Sequence, residues 1–158
     1  MESNNCCFIG HRKICKNEEM KAKLRETIER LITEENVDTF IFGSKSEFDD
    51  LCYELVTEIK KEKPYIKRIY VRAEYQYINE KYKNSLLKSY EDTYYPEKII
   101  VAGKSAYVER NCEMIDKSGF CVMYFNCRKR YENRRSGTKI AYEYAVKRGK
   151  KIINIAEV

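Results

Sequence analysis

Nowhere in this 158-residue chain does an apolar run approach the roughly 18 residues that cross a bilayer, so no membrane segment is expected. Histidine occurs once, at His11, and no CxxC pair exists among the seven cysteines, which argues against a zinc site. The odd cysteine count and the scatter of positions also argue against a disulfide scaffold. Cys6, Cys7, Cys52, Cys112 and Cys121 instead fall where small buried hydrophobes belong, as in a reducing compartment. Met1 to Lys13 lacks the long apolar stretch of a secretory signal, because Phe8 and Ile9 lead straight into Gly10-His11-Arg12. A cytosolic protein is expected. There is no internal repeat, no low-complexity segment and no motif that asks for a cofactor.

What is there reads as one globular domain over residues 1–158. Hydrophobic residues make up 43% of the chain, enough for a sizeable core at this length and against disorder. The formal charge of +6 permits nucleic acid binding without demanding it. Much of the excess is local: Arg128, Lys129, Arg130, Arg134 and Arg135 face only Glu132 before Ser136.

Apolar runs that read as strands alternate with stretches of helical periodicity. Asn5 to Gly10, Val37 to Phe42 and Ile66 to Val71 are the first three expected strands. Ile99 to Ala102, Phe120 to Phe125 and Lys151 to Ile155 are the next three. Helices are expected over Glu18 to Glu35, with Met20, Leu24, Ile28 and Leu31 as its stripe, and from Ser46, where Phe48, Leu51, Cys52, Leu55, Val56 and Ile59 keep the spacing of a buried face. Ser46 with Asp49 resembles a capping box. Ser105 is placed to cap a further helix that ends near Ser118, with Gly119 as its left-handed stop, and Ser136 to Arg148 forms the last helix, closed by Gly149. Pro64 and Pro96 break the chain, and Ala73 to Tyr95 reads as an inserted helix and loop. Continuous apolar strands alternating with helices predict an α/β, three-layer Rossmann-like fold, with a mostly parallel sheet and helices on both faces.

Three strand-to-helix junctions then stand out, because turns leaving the carboxyl ends of parallel strands gather on one sheet edge and suit anions. At the first, His11 and Arg12 follow Gly10 and offer donors to a phosphate or carboxylate; the alternative is a solvated turn. At the second, Gly43-Ser44-Lys45-Ser46 lacks the GxxxxGK[ST] pattern, yet backbone N–H groups of Ser44 to Glu47, the Ser46 hydroxyl and the Lys45 ammonium can converge on an anion. Capping by Ser46 is the structural alternative. The third junction sets the basic segment beside Ser136-Gly137-Thr138 at a helix start. Arg110 and Asn111 follow on a helix; an inward Arg110 needs an anion or a carboxylate such as Asp116 or Glu143, and surface exposure is the ordinary alternative. Tyr75, Tyr77, Tyr82, Tyr90, Tyr94 and Tyr95 are suited to stacking on a base, or to amphipathic packing, their commoner use.

Together, Cys7-Phe8-Ile9-Gly10-His11-Arg12, Phe42-Gly43-Ser44-Lys45-Ser46-Glu47-Phe48-Asp49, Arg110-Asn111-Cys112-Glu113-Met114-Ile115-Asp116-Lys117-Ser118 and Ser136-Gly137-Thr138-Lys139 resemble the SLOG superfamily, its small single-domain bacterial and phage branch most closely. That superfamily includes the lonely-guy cytokinin phosphoribohydrolases, DNA-processing proteins of transformation, and sensor domains for signals derived from NAD or ADP-ribose. The resemblance implies a Rossmann-like fold, a nucleotide-type ligand at the strand ends, and self-association. One departure bears on activity. The phosphoribohydrolase signature PGGxGTxxE carries a glutamate three residues after its threonine, where this chain, counted from Thr138, has Ala141. Glu143 lies about 200° further round the helix than Ala141 and does not replace it. Arg110 and Met114 do match the spacing of the arginine and methionine in the enzymes' upstream motif.

The leading expectation is therefore a binding protein that senses or sequesters a nucleotide or an ADP-ribose- or NAD-derived ligand. Gly10, His11, Arg12, Gly43, Ser44, Lys45, Ser46, Arg110, Asn111, Ser136, Gly137 and Thr138 would hold it, with Glu47 or Asp49 accepting from ribose hydroxyls. The alternatives are an N-glycosidic hydrolase or transferase using Glu47, Asp49 or Glu143, and a single-strand DNA binder using Lys45, Arg128, Arg130, Arg134 and Arg135.

Overall fold

The computed structural model describes residues 2–73, 79–101, 105–126 and 137–156. Ser136, Tyr75, Tyr77, Ala102 and the basic run at Arg128, Lys129, Arg130, Arg134 and Arg135 lie outside the described residues. Six strands are present among those described: β1 (Asn5–Gly10), β2 (Thr39–Phe42), β3 (Lys67–Val71), β4 (Asp92–Tyr94), β5 (Phe120–Tyr124) and β6 (Lys151–Asn154). They form one sheet in the order β4-β3-β2-β1-β5-β6, and every pairing is parallel. Five α-helices connect them: α1 (Glu18–Glu34), α2 (Glu47–Glu62), α3 (Glu80–Ser89), α4 (Ala106–Asp116) and α5 (Gly137–Lys147).

Alternation of side chains along the strands sorts the core into two layers. Cys6, Phe8, Phe40, Phe42, Tyr70, Val122 and Tyr124 face α1, α2 and α3. Cys7, Ile9, Ile41, Val71, Cys121 and Met123 face α4 and α5, which supply Met114, Ile115, Ala141 and Ala145. A three-layer, Rossmann-like arrangement results. In the first layer Phe8 stacks on Phe40 and leans on Phe42, with ring centroids 5.6 and 5.2 Å apart. Each such buried phenylalanine contributes about 1.5–3 kcal/mol. The free thiols Cys6, Cys7, Cys52 and Cys121 are buried as expected, whereas Cys112 is only half-buried and Cys15 is exposed. No described helix is long and apolar enough to cross a membrane.

The sequence reading needs four corrections. The fourth strand is not Ile99 to Ala102 but Asp92–Tyr94, inside the segment expected as helix and loop. At the sheet edge, β4 pairs with β3 and, among the described residues, with no other strand, so a short polar stretch suffices and leaves no apolar run to detect. Ile99 belongs to a 3-10 turn, Glu97–Val101, in which its N–H donates to Pro96 O at 3.1 Å, because a short apolar run does not by itself separate strand from buried turn. Gly119 is not in the left-handed region, which only Asn36 and Gly149 enter among the described residues. Instead the end of α4 is closed by the Ser118 hydroxyl, which donates to Met114 O at 2.8 Å, and Gly119 N–H donates to Asn5 O. Ser105 makes no side-chain cap to α4, its backbone having turned away from the extended conformation a cap requires.

Candidate functional site

Parallel pairing sends the carboxyl ends of β1 and β2 to the same edge, and the chain reverses direction across the sheet between β1 and β5. Such a reversal opens a crevice at the strand ends. A cleft of about 820 Å³ lies there. Its lining comes from four places: Phe8 to Lys13 around the end of β1; Gly43 to Ser46 with Asp49 after β2; Tyr107, Arg110, Asn111 and Met114 on α4; and Gly137 and Thr138 at the start of α5. Separate junctions thus meet in one cavity. Twelve of the fourteen residues expected from sequence are in that lining, Ser136 lies outside the described residues, and Glu47 lies elsewhere.

Glu47 faces the loop after β1, where its Oε1 accepts from Ile14 N–H at 2.9 Å while its own N–H donates to Arg12 O at 2.8 Å. It knits the first junction to the second. Ser46 caps α2 as expected, accepting from Asp49 N–H at 3.0 Å. The expected convergence of loop N–H groups on an external anion is not what this turn does. Ser44 N–H donates to Asp49 Oδ2 at 3.1 Å, Gly43 N–H donates to the same oxygen at 3.4 Å, and Ser46 N–H donates to Ser44 Oγ. The anion that this loop cradles is the protein's own carboxylate.

Asp49 is 2% exposed, and burial drives its pKa up to about 6. Hydrogen bonds from Ser44 and Gly43 and the positive charge of Arg110 hold it from rising further. Arg110 is itself 5% exposed. Its Nε and Nη2 donate to Asn111 Oδ1 at 3.3 and 3.2 Å, and its guanidinium lies 5.4 Å from the centre of the Tyr107 ring. No ion pair to Arg110 exists among the described residues. Asp116, suggested as its partner, is taken by Tyr144 and Arg148, and Glu143 is exposed on α5.

Glycine matters here for close approach. A Cβ on Gly43 would come within 2.5 Å of Met114 Sδ and 2.9 Å of Arg110 Cδ, so the bare backbone is the floor over which Arg110 enters the cleft. A Cβ on Gly10 would press to 2.6 Å from Phe48 Cγ, at the start of α2. Among the described residues, nothing lies within 4 Å of such a Cβ on Gly137.

Comparison of the sequence with protein-family models finds no match, and comparison with curated proteins finds none.

At the rim, Lys45 is exposed, its Nζ 5.2 Å from the centre of the buried Tyr70 ring, and Arg12 and Lys13 are exposed beside it. His11 is half-buried; its Nε2 accepts from Asn126 N–H at 3.0 Å and its backbone N–H donates to Tyr124 O, tying the end of β1 to β5 and the loop after it. The imidazole therefore serves the frame of the cleft. Thr138 is buried, and one turn on Ala141 packs into the core between α4, α5 and the sheet. Among the described residues, no cluster of histidine, cysteine and acidic side chains is arranged to hold a metal. Phe8, Ile9, Lys13, Tyr107 and Met114 also line the cleft without being among the expected site residues, Met114 having been singled out only for its spacing from Arg110. Tyr107 precedes Arg110 by three residues on one helix, a spacing that puts both on the same face and was legible.

Of the expected tyrosines, Tyr90 is buried against Tyr53, Tyr70 and Phe42, which is packing. Tyr94 donates to Glu113 Oε2 at 2.9 Å. Neither lines the cleft.

Proposed function

We propose that the cleft binds, without cleaving, a phosphate-bearing ligand of nucleotide type, in the class of nucleotides and ADP-ribose- or NAD-derived molecules, and that the protein senses or sequesters it as a member of the SLOG superfamily. The observation that carries this is Arg110: a guanidinium almost wholly removed from water, in the wall of a cleft, with no ion pair of its own among the described residues. A buried cation is costly without an anion, and arginine's planar fork suits a phosphate. Arg12, Lys13 and Lys45 add three cations to the lining against one carboxylate, Asp49, so the cavity favours a ligand with more than one negative charge. Its volume, about 820 Å³, is of the size that holds a nucleotide with room for a second phosphate-linked group.

Binding without hydrolysis is the favoured form for two reasons. Ala141 puts a methyl group in the core where the resembled enzymes carry their glutamate. Asp49, the carboxylate in the cleft lining whose charge Arg110 feels, already accepts from Gly43 and Ser44 and is held as part of the wall.

Thermal-shift and calorimetric titration of the full chain with ADP-ribose, NAD, AMP, cyclic ADP-ribose isomers and cyclic dinucleotides tests the proposal. At a hundredfold excess over Kd a ligand stabilises the native state by about 2.7 kcal/mol, raising Tm by about 5–11 °C. Arg110→Gln should abolish that rise, and chromatography of the mixture should show no released base. Silence of the wild-type chain across the panel, or equal binding by the Arg110→Gln variant, overturns the reading.

A further inference from the structure

Tyr107 is one of four large apolar side chains that stand exposed among the described residues, and the one of them that lines the cleft. The residue is 54% exposed, in the first turn of α4. One turn on, the Arg110 guanidinium lies 5.4 Å from the ring centre, within cation–π range, and Asn111 Oδ1 accepts two of its N–H groups. Gly43 supports the other side of the Arg110 side chain. Ring and cation are therefore held as a unit: a half-exposed aromatic side chain, with Arg110 over one face, adjoining the most deeply buried positive charge of the cleft.

We infer that Tyr107 is the platform on which the ligand's nucleobase stacks, so that the site selects phosphates that carry a base over bare phosphates. This rests on the ligand reading given above and adds its selectivity. A half-exposed phenol loses little hydration when a second ring covers it and gains the stacking area of both. The adjoining Arg110 is placed for the phosphate or ribose side of the same molecule. A free nucleotide fits better than a strand of nucleic acid, because the aromatic ring sits in a concave wall beside a buried cation, whereas a strand needs an exposed groove and a succession of rings.

Calorimetric titration of the full chain with ADP and with inorganic pyrophosphate, for wild type, Tyr107→Phe and Tyr107→Leu, separates the two claims. Tyr107→Phe should keep the affinity for ADP, and Tyr107→Leu should weaken it by roughly five- to a hundredfold while leaving pyrophosphate within about twofold. The fluorescence of ethenoadenosine diphosphate should be quenched on the wild-type protein, a readout that needs no variant to fold. Equal losses for both ligands would make Tyr107 a mere support for Arg110 and overturn the inference, as would no loss for either or no quenching. Pyrophosphate binding without an advantage for ADP also overturns it while the anion site stands. Failure of both ligands on wild type removes the ligand reading and this inference together. A short oligodeoxynucleotide that displaces ADP at lower concentration than ADP itself would assign the ring to nucleic acid instead.

Discussion

The buried carboxyl of Asp49 should write a pH signature into the stability of the whole domain, and substitution by asparagine should erase it. Burial raises its pKa from the ordinary 3.8 to about 6, so the folded protein keeps a proton over an interval in which the unfolded chain has lost it. Wherever the native state binds more protons, stability falls as pH rises. The contribution is fully present below about pH 4, shrinks as pH climbs through 6 and is gone above it. At about 1.4 kcal/mol for each pKa unit, the rise is worth about 3 kcal/mol. Asparagine still offers an oxygen to the N–H groups of Gly43 and Ser44 but does not titrate, so wild type compared with Asp49→Asn cancels the other ionisable groups. Urea denaturation from pH 4 to 7.5 should show the wild type losing about 3 kcal/mol relative to the variant. In thermal melts that is a relative fall of about 6–12 °C. A difference that stays flat across the interval would refute the reasoning, since it would mean that Asp49 titrates as an exposed carboxylate does. On the reading proposed above, a phosphate bound at Arg110 would add negative charge near Asp49 and draw a proton onto it, so anion affinity should improve as pH falls from 7.5 toward 6.

Gly43→Ala drives a methyl group into Met114 and Arg110, and such overpacking costs about 1–3 kcal/mol; Tm should drop by about 2–12 °C, with a loss of anion affinity that calorimetry reads. Gly137→Ala is the control, because no described residue comes within 4 Å of a Cβ there, and its Tm should hold or rise slightly. Arg68 grips both oxygens of Glu91 at 3.0 and 2.8 Å and Thr57 Oγ1 at 2.9 Å, so Arg68→Met should cost about 2 kcal/mol in urea denaturation. Burial alone would raise the Glu91 pKa, but the Arg68 hydrogen bonds lower it on balance; this stability is present above the ordinary carboxylate range, is lost as pH falls into it, and should be missing from the acid limb of the Arg68→Met profile.

How much of this was legible in the sequence depended on the range of the interaction. The face of α2 and its Ser46 cap follow from spacing within one or two turns, and the structure has both. The strands β1, β2 and β5 are wholly or mostly buried and leave continuous apolar runs. The edge strand β4 leaves none, since Asp92, Thr93 and Tyr94 need a partner on one side only. In the cleft, residue types at strand ends were readable, but not whether Arg110 turns inward or to the surface, nor what satisfies each group. Asp49 reads as a capping partner or a ribose acceptor. That its carboxylate turns back to Gly43 and Ser44 depends on the path of the loop, which local periodicity does not encode.

The glycines connect packing to function by a route the sequence suggests only in part. Placed at strand ends, they invite the reading that bare backbone lets an anion approach. In the fold, two of them let other elements approach: Phe48 of α2 over Gly10, and Arg110 and Met114 of α4 over Gly43. The consequence for the cleft is nevertheless electrostatic. Because Gly43 has no side chain, α4 packs close enough to carry Arg110 into the wall, near the buried Asp49, whose negative charge offsets part of the cost of the cation. Asp49 in turn spends its hydrogen-bonding capacity on the loop and forms no ion pair with Arg110, so compensation remains incomplete. An arrangement of this kind holds a guanidinium poised in a cavity without supplying its counter-ion. On the reading proposed above, a ligand phosphate would complete it.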